Sequence, residues 1–267
     1  MQLKFNAEAQ RRRRGNHFRA VALIALMICG LFGGSLTAQD VSPQGPDAGR
    51  QLAEQLRSMR PDEDVKWRGT LKISGREHKA LAVPILCQTT VGETNWSVMY
   101  LASATEMTPA EKLTVVFFTN APNQYIYARA ASRGGPLGEP RTLTGAEAHI
   151  PLAGSDFWLS DLGFEFYHWP DQVRLAGQMH RGRPCYVLQS SNPQPMPGGY
   201  SRVITWVDKE SNQPLQATAY GVDGKSLKNF ELGSITKVRG KYEVKNLKMF
   251  NLKTDSRTYL DFDLESQ

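Results

Sequence analysis

The sequence lacks the common signatures of an enzyme or a metalloprotein. It contains no G-x-S-x-G elbow, no H-E-x-x-H, no C-x-x-C and no glycine-rich phosphate loop. These absences argue against the usual serine hydrolases, zinc proteases, dithiol oxidoreductases and nucleotide-binding enzymes. The histidines are scattered along the chain, which gives no spacing typical of metal ligands. We therefore expect no enzyme activity, no metal site and no cofactor.

The sequence also lacks an apolar run long enough to cross a membrane. The run Ala20–Phe32 has about thirteen residues, whereas a spanning helix needs roughly twenty. It follows the basic residues Arg11–Arg14 and precedes a small residue, Ala38, that suits a cleavage site. Residues 1–38 are therefore predicted to be a cleaved signal peptide that directs the protein to the periplasm. An uncleaved anchor in the inner membrane is the alternative.

The basic charge of the chain belongs mainly to this leader. Six of the 32 basic residues but only one of the 26 acidic residues lie within positions 1–38, so 26 basic and 25 acidic residues remain. A net charge this close to zero provides no basic surface for a nucleic acid. Nucleic acid is therefore not an expected partner.

Cysteine is rare, and only Cys87 and Cys185 follow the leader. The periplasm permits disulfides. A bond between the two would close a loop of about a hundred residues and stabilise the fold by roughly 4–5 kcal/mol in the chain-entropy model. The alternative is two buried thiols that pack as small apolar side chains. The sequence leaves both alternatives open.

The mature chain is predicted to consist of a tether followed by one domain. Residues 39–46 are rich in proline, glycine and serine, which indicates a flexible segment. Asp47 is predicted to cap a short helix, Ala48–Met59, that begins a single domain over residues 47–267.

Most of that domain has the alternating pattern of β-strands. Val65, Trp67, Leu71 and Ile73 fall on one face, and the residues between them are mainly polar. Further strands are predicted at short intervals: 79–87, 95–102, 112–119, 124–130, 173–180, 185–189, 202–208, 215–220, 227–238, 242–251 and 257–265. So many antiparallel strands must curl or close to protect their edges. We predict a mainly β (α+β) fold, a curled antiparallel half-barrel around the helix and one irregular segment.

The irregular segment lies between Arg141 and Pro170. It is dense in aromatic residues that a solvated loop could not expose: Phe157, Trp158, Phe164, Phe166, Tyr167 and Trp169. The segment is either a lid over the concave face or a permanent part of the core.

The stretch from Gly182 to Phe230 carries a recognisable pattern. Tyr200-Ser201 precedes Trp206-Val207-Asp208, then Pro214-Leu215, and Asp223-Gly224-Lys225 closes the unit with a hairpin signal. This arrangement resembles the strand–turn–strand core of the LolA/LolB-like superfamily of outer-membrane lipoprotein-sorting proteins. The resemblance covers most of the chain after the leader. It implies a half-barrel with a lid that serves as a periplasmic carrier or sensor of lipid chains, not an enzyme. In the family pattern Asp156 is expected to cap free backbone N–H groups, and Asp161 to pair with a neighbouring strand.

From this resemblance and the apolar face we predict a hydrophobic-ligand site. Its candidate residues are Trp67, Leu71, Ile73, Trp96, Val98, Tyr100, Phe117, Trp158, Phe164 and Phe166. The hollow is expected to stay vacant until it receives a lipid acyl chain or a lipidated protein. The carrier is expected to be a monomer that hands its cargo to an inner- or outer-membrane protein. The alternative is an envelope sensor that recognises a polypeptide on the same scaffold and signals to a membrane partner, and a hydrolase is a third, weaker hypothesis.

Overall fold

The computed structural model describes residues 44–75, 80–238 and 241–264. The predicted signal peptide, 1–38, and residues 39–43 of the predicted tether lie outside this range. The described part consists mainly of β-strands, with one α-helix at its start and an irregular segment between two groups of strands.

Helix α1 spans Pro46–Arg57. Proline suits the first helical position because its missing N–H would have no partner there, and Gly45 supplies the positive φ of 99° just before it. The predicted cap, Asp47, instead lies inside the first turn, where a carboxylate favours the positive end of the helix dipole. The helix therefore starts before the predicted Ala48 and ends before the predicted Met59.

Close backbone contacts fix α1 in place. Gly45 exchanges two hydrogen bonds with the backbone of Arg174, of 2.9 and 3.0 Å, so the end of the predicted flexible tether is anchored. A side chain at Gly49 would place its Cβ 2.4 Å from the carbonyl oxygen of Gln172, so this contact requires glycine. Leu56, on the buried face of α1, is completely buried.

The strands alternate buried and more exposed side chains. Their bounds are β1 Val65–Gly75, β2 Leu81–Val91, β3 Trp96–Ala102, β4 Glu111–Phe117, β5 Gln124–Arg129, β6 Arg141–Leu143, β7 Asp171–His180, β8 Arg183–Ser191, β9 Arg202–Asp208, β10 Pro214–Tyr220, β11 Ser226–Leu232, β12 Ile235–Val238, β13 Lys241–Val244, β14 Asn246–Asn251 and β15 Ser256–Asp263.

The predicted strands occur close to their expected positions, with two exceptions. The predicted strands 227–238 and 242–251 are each divided, because the chain leaves the main sheet at Gly233 and returns at Asn246. A Cβ at Gly233 would overlap the side chain of Asn246, so the close approach of these two residues requires glycine at position 233. Strands β12 and β13 form a separate hairpin there. The short strand β6 was predicted as loop.

The main sheet has thirteen strands in the order β6-β5-β4-β3-β2-β1-β15-β14-β11-β10-β9-β8-β7, and neighbouring strands are antiparallel. Its two outermost strands, β6 and β7, do not pair with each other, so the sheet is curled but open. A sheet this wide must curl because each strand has a right-handed twist, and the twist accumulates from strand to strand. The predicted curled antiparallel half-barrel is confirmed.

One face of this sheet, called the inner face from here on, is largely apolar. Leu71 on β1 lies opposite Leu260 of β15 and Val83 of β2. Tyr100 on β3 likewise faces Leu113 on β4. All five side chains are buried. The strand register therefore brings the apolar residues of distant strands onto one surface.

The inner face is covered by residues 144–169, called the plug from here on. The plug contains four short 3-10 turns, Gly145–Ala148, Leu152–Gly154, Asp161–Gly163 and Glu165–His168. Among the described residues, its backbone–backbone hydrogen bonds stay within the plug. The plug therefore contacts the sheet through side chains instead of extending it as a strand.

Two hydrophobic clusters form between the plug and the rest of the molecule. The larger cluster joins β1–β5, β14 and β15 to plug residues that include Phe157 and Leu162. The smaller cluster joins α1 and β8–β10 to Phe164, Phe166 and Tyr167. Each half of the plug thus packs against a different half of the sheet.

Cys87 and Cys185 are free thiols in the structure, in agreement with the alternative of two buried, unpaired cysteines. Cys87 lies on β2 and Cys185 on β8, and six strands of the sheet separate these two strands. Disulfide geometry requires Cα atoms within about 7 Å. Both side chains are buried, so each packs as a small apolar group.

Candidate functional site

The ten residues predicted to contact a ligand lie in two clusters and not in one hollow. Those in the larger cluster are Leu71, Ile73, Trp96, Val98, Tyr100 and Phe117, with Trp67 half-buried beside them. Phe164 and Phe166 belong to the smaller cluster, against which Trp158 packs. The sequence could place these residues on the inner face but not divide them, because the division depends on how the plug folds.

The expectation of a vacant hollow was wrong. The plug and α1 occupy the inner face, and Phe157 and Leu159 are completely buried there. A cavity of about 20 Å³ remains beneath Phe164 and Phe166, bordered by β9, β10, β11 and β14. A cavity of this size can hold about one water molecule, whereas small-molecule pockets measure about 300–1,000 Å³. An acyl chain can enter only if the plug moves.

A buried ion pair joins the plug to the sheet beside this cavity. Nζ of Lys228, on β11, lies 3.2 Å from Oδ2 of Asp161 in the plug. Lys228 is 4% exposed and Asp161 is 5% exposed, so water reaches neither group freely. Lys228 also donates a 2.8 Å hydrogen bond to the carbonyl oxygen of Asp156. We call the Lys228–Asp161 pair the latch.

The carboxylate of Asp161 has two further partners. The hydroxyl of Tyr200 donates to Oδ1 at 2.9 Å, and the backbone N–H of Trp158 donates to Oδ2 at 2.8 Å. A buried carboxylate needs such donors because desolvation is costly. The prediction that Asp161 pairs with a neighbouring strand agrees with this arrangement.

Aromatic rings enclose the cation of the latch. Nζ of Lys228 lies 3.7 Å from the centre of the Trp158 ring, within the range of a cation–π contact. Trp158 stacks on Tyr200 with ring centres 4.7 Å apart, and on His149 at 5.1 Å. His149 is half-buried in this stack.

Other polar side chains hold the first half of the plug against the sheet. The carboxylate of Asp156 accepts hydrogen bonds from Ser256 and Thr258 on β15, and so does not cap backbone N–H groups as predicted. Near the start of the plug, buried Glu111 accepts a 2.8 Å hydrogen bond from the backbone N–H of Ala153.

The second half of the plug is hydrogen-bonded to side chains on β5 and on the residue just before it. The hydroxyl of Tyr125 donates to Glu165 at 2.8 Å, and the amide of Asn123 donates to the carbonyl oxygen of Gly163 at 2.7 Å. The position of the plug against the sheet is therefore specified by polar contacts as well as by its aromatic residues.

Burial shifts the pKa values of Lys228, Glu111 and Glu165 in the direction that favours their neutral forms. Burial lowers the pKa of Lys228, although the charge of Asp161 opposes this effect. Burial raises the pKa of Glu111 against the hydrogen bond from Ala153, and that of Glu165 against the bond from Tyr125. Burial thus disfavours the charged forms of Lys228, Glu111 and Glu165, and access of water would relieve this effect.

Lys228 and Tyr200 were not among the residues predicted for the site. Alternation along β11 places Lys228 on the same face as Phe230, which packs against both clusters. A lysine at an inward-facing position was therefore the available signal. Its partner Asp161 lies 67 residues earlier in the chain, and no local pattern links the two.

The described residues contain no group of three or more histidine, cysteine, aspartate and glutamate side chains arranged to hold a metal ion. The charged groups beneath the plug instead bond to other parts of the same chain.

A family model described as "Uncharacterized protein" matches residues 107–264, more than half of the sequence. The chain belongs to this family. The match includes the plug and strands β7–β15, so the latch lies entirely within the family's region. No curated protein matches the sequence.

Solved structures share the fold. A putative outer membrane lipoprotein-sorting protein domain from Vibrio parahaemolyticus superposes with a TM-score of 0.66 at 16% identity, covering 81% of this chain and 91% of that one. A DUF1329 family protein from Desulfovibrio piger gives 0.63 at 17% identity, with 81% and 90% covered. A LolA superfamily protein from Nitrosomonas europaea gives 0.56 at 14% identity, with 82% and 91% covered. This family member therefore has the LolA-like fold, as the resemblance predicted.

Proposed function

We propose that this protein is a periplasmic carrier that binds the acyl chains of lipids or lipoproteins on its inner face. The plug is the lid of the carrier, and it moves aside when a chain enters. The shared fold with a lipoprotein-sorting domain supports a carrier, and the predicted leader supports the location. Among the described residues no helix is long and apolar enough to cross a membrane.

The latch is the observation that carries this proposal. A buried ion pair adds little net stability compared with apolar side chains of similar volume, because both charges lose their hydration. Its better-supported use is to specify one arrangement among alternatives. Lys228 and Asp161 lie at the junction of the plug and the sheet, where they define the closed position at a low net gain in free energy.

The backbone of the plug is compatible with movement. Because its backbone hydrogen bonds are internal, the plug can leave the inner face without breaking a ladder of the sheet. Only side-chain contacts are exchanged, and an acyl chain can replace the apolar ones. Burial of each methylene group contributes about 0.8 kcal/mol, or about 9 kcal/mol for a twelve-carbon chain.

The role that follows is transfer and not catalysis. A carrier that releases its cargo needs a partner that receives it, and we propose an inner- or outer-membrane protein in this role. The carrier itself is proposed to act as a monomer. Closure of the plug after release would prevent the apolar inner face from contacting water.

A crosslink across the plug tests the proposal. Asp156 in the plug and Ser256 on β15 are hydrogen-bonded through their side chains, so cysteines at both positions fall within reach of a short thiol crosslinker. The expected result is that dansyl-undecanoic acid binds the uncrosslinked double variant and fails to bind after crosslinking. The matched control is the same double variant treated with a monofunctional thiol reagent.

Equal binding before and after crosslinking would show that the chain does not enter beneath the plug. Native mass spectrometry of protein extracted gently from the envelope is the second measurement, and co-purifying lipid is the expected result. Capture of an envelope polypeptide without lipid would instead support the sensor hypothesis.

A further inference from the structure

A cleft of about 440 Å³ opens on the surface where α1, the end of the plug and the loop between β4 and β5 meet. Its wall includes Arg50, Arg57, His168 and Trp169, with Glu54 as the acidic side chain among them. Arg50, Glu54 and Arg57 occupy one face of α1, since residues four and seven positions apart align on a helix. The cleft thus combines two guanidinium groups, an imidazole and an indole.

Arg57 is the most confined of these cations. It is half-buried, and it donates hydrogen bonds to the carbonyl oxygens of Thr119 and Tyr167. Within the described residues it forms no ion pair with an acidic side chain. Burial lowers the pKa of Arg57, while the charge of Glu54 opposes that shift. Its positive charge is therefore compensated mainly by neutral carbonyl groups.

His168 and Arg50 line the cleft together with Arg57. Burial, followed by the charge of Arg57, lowers the pKa of His168 to about 4. The imidazole is therefore neutral near pH 7 and becomes charged more easily when an anion lies beside it. The side chain of Arg50 is 58% exposed and pairs with Asp47, so an anion in the cleft would share or replace this partner.

A single turn of the plug separates the cleft from the cavity under the plug. Phe166 borders that cavity, and its ring lies 6.4 Å from the ring of Trp169, which borders the cleft. The side-chain amide of Gln172 donates to the carbonyl oxygens of Phe166 and Trp169, at 3.0 and 2.8 Å. Movement of this turn would connect the two spaces.

We propose that the cleft binds the phosphate of an amphiphile whose acyl chain lies on the inner face. The proposal rests on the proposed function and specifies its ligand as an anionic lipid. The planar guanidinium groups of Arg50 and Arg57 suit phosphate oxygens because each can donate two parallel hydrogen bonds. Glu54 opposes the anion, so its charge limits the affinity.

Calorimetric titrations with inorganic phosphate and with dihexanoylphosphatidylglycerol below its micelle concentration test this site. Arg50→Gln should weaken binding of both by about threefold to tenfold, as expected for loss of one partly screened charge. Glu54→Gln should tighten binding by about threefold for the same reason. Arg133→Gln, outside the cleft, is the matched control and should change neither affinity.

The short-chain lipid should bind more tightly than phosphate, because its chains add apolar contacts. Equal affinity for the two would overturn the headgroup assignment. No binding of either at 10 mM (roughly the weakest level of interest), or affinities that respond to neither Arg50→Gln nor Glu54→Gln, would overturn the site. Both substitutions change exposed side chains, so the test does not depend on Arg57, whose loss could disturb the fold.

The failure of the carrier function would give a different result. Dodecanol has no charge, so its binding depends on the inner face and not on the cleft. Phosphate binding with no dodecanol binding would reject the carrier function. Dodecanol binding with no phosphate binding would reject the cleft.

Discussion

Replacing Lys228 by methionine should destabilise the protein by about 3 kcal/mol. Removing one partner of a buried ion pair leaves an uncompensated charge, and such losses typically cost about 3–5 kcal/mol. The lower end of this range applies here because Asp161 would keep the hydrogen bonds from Tyr200 and Trp158. Methionine retains most of the volume of lysine, so no large cavity adds to the effect.

The double variant Asp161→Asn with Lys228→Met should recover most of this loss. An asparagine oxygen can accept from the N–H of Trp158 while its amide donates to the hydroxyl of Tyr200. With neither charge present, stability should return to within about 1 kcal/mol of the original protein, or exceed it. Urea denaturation followed by far-UV circular dichroism measures each free energy of unfolding, and unchanged slopes would validate the comparison.

The same double variant should bind acyl chains more weakly. A ligand that needs the open plug has its apparent affinity reduced by the fraction of molecules that are open. Without the two charges, the closed state no longer bears the desolvation cost of Lys228 and Asp161. If this stabilises the closed state relative to the open state by about 1 kcal/mol, the open fraction falls about fivefold. Titration with dansyl-undecanoic acid should show a matching increase in Kd.

Two results would refute this reasoning. A Lys228→Met variant within 0.5 kcal/mol of the original (about the usual scatter of surface substitutions) would show that the latch does not hold the plug. A double variant that is fully stable but binds the probe with unchanged affinity would show that the latch does not control opening.

Two further predictions follow from single residues of the plug. Gly163→Ala should cost about 1–3 kcal/mol in urea denaturation, because its Cβ would lie 2.2 Å from the hydroxyl of buried Tyr125, whereas Gly134→Ala, with no atom within 4 Å, should be neutral. Burial and the charge of Arg57 depress the pKa of His168 in the folded state to about 4, so stability should fall by about 1–2 kcal/mol between pH 7 and pH 5. The unfolded chain binds the extra proton in this range, so His168→Gln should flatten the pH dependence, and an unchanged profile would contradict it.

Local patterns predicted most of the sheet. The alternation of Leu71 and Ile73 identified the inner face of β1, and both residues are buried there. The strand β9 has the predicted bounds, Arg202–Asp208. Such a period of two follows directly from side chains pointing to opposite faces, so it needs no knowledge of distant residues.

Helix and strand ends were less predictable, because they depend on contacts between distant parts of the chain. Helix α1 begins at Pro46 because Gly45 both turns the chain and pairs with Arg174 on β7. The division of the predicted strand 227–238 depends on the approach of Asn246 to Gly233. Neither contact has a local signal in the sequence.

The candidate site was only partly predictable. The aromatic content of residues 157–169 predicted burial of the segment, and the structure buries most of it. The latch could not be predicted, because its geometry depends on the fold of the plug and on the register of β11 with β10 and β14. Clusters of apolar residues tolerate many arrangements, whereas a buried charge requires one partner at one position.

The plug carries several energetic costs in the position that the structure shows, and these costs support our proposal that it is a movable lid. Ala153 and Phe164 have positive φ angles of 49°, a backbone conformation that costs about 1–3 kcal/mol for residues other than glycine. Burial also disfavours the charged forms of Lys228 and Glu111, as their shifted pKa values indicate. Opening would relieve these costs while the sheet kept its hydrogen bonds. The free energy that an acyl chain must supply to displace the plug is therefore smaller than the apolar area of the plug alone suggests.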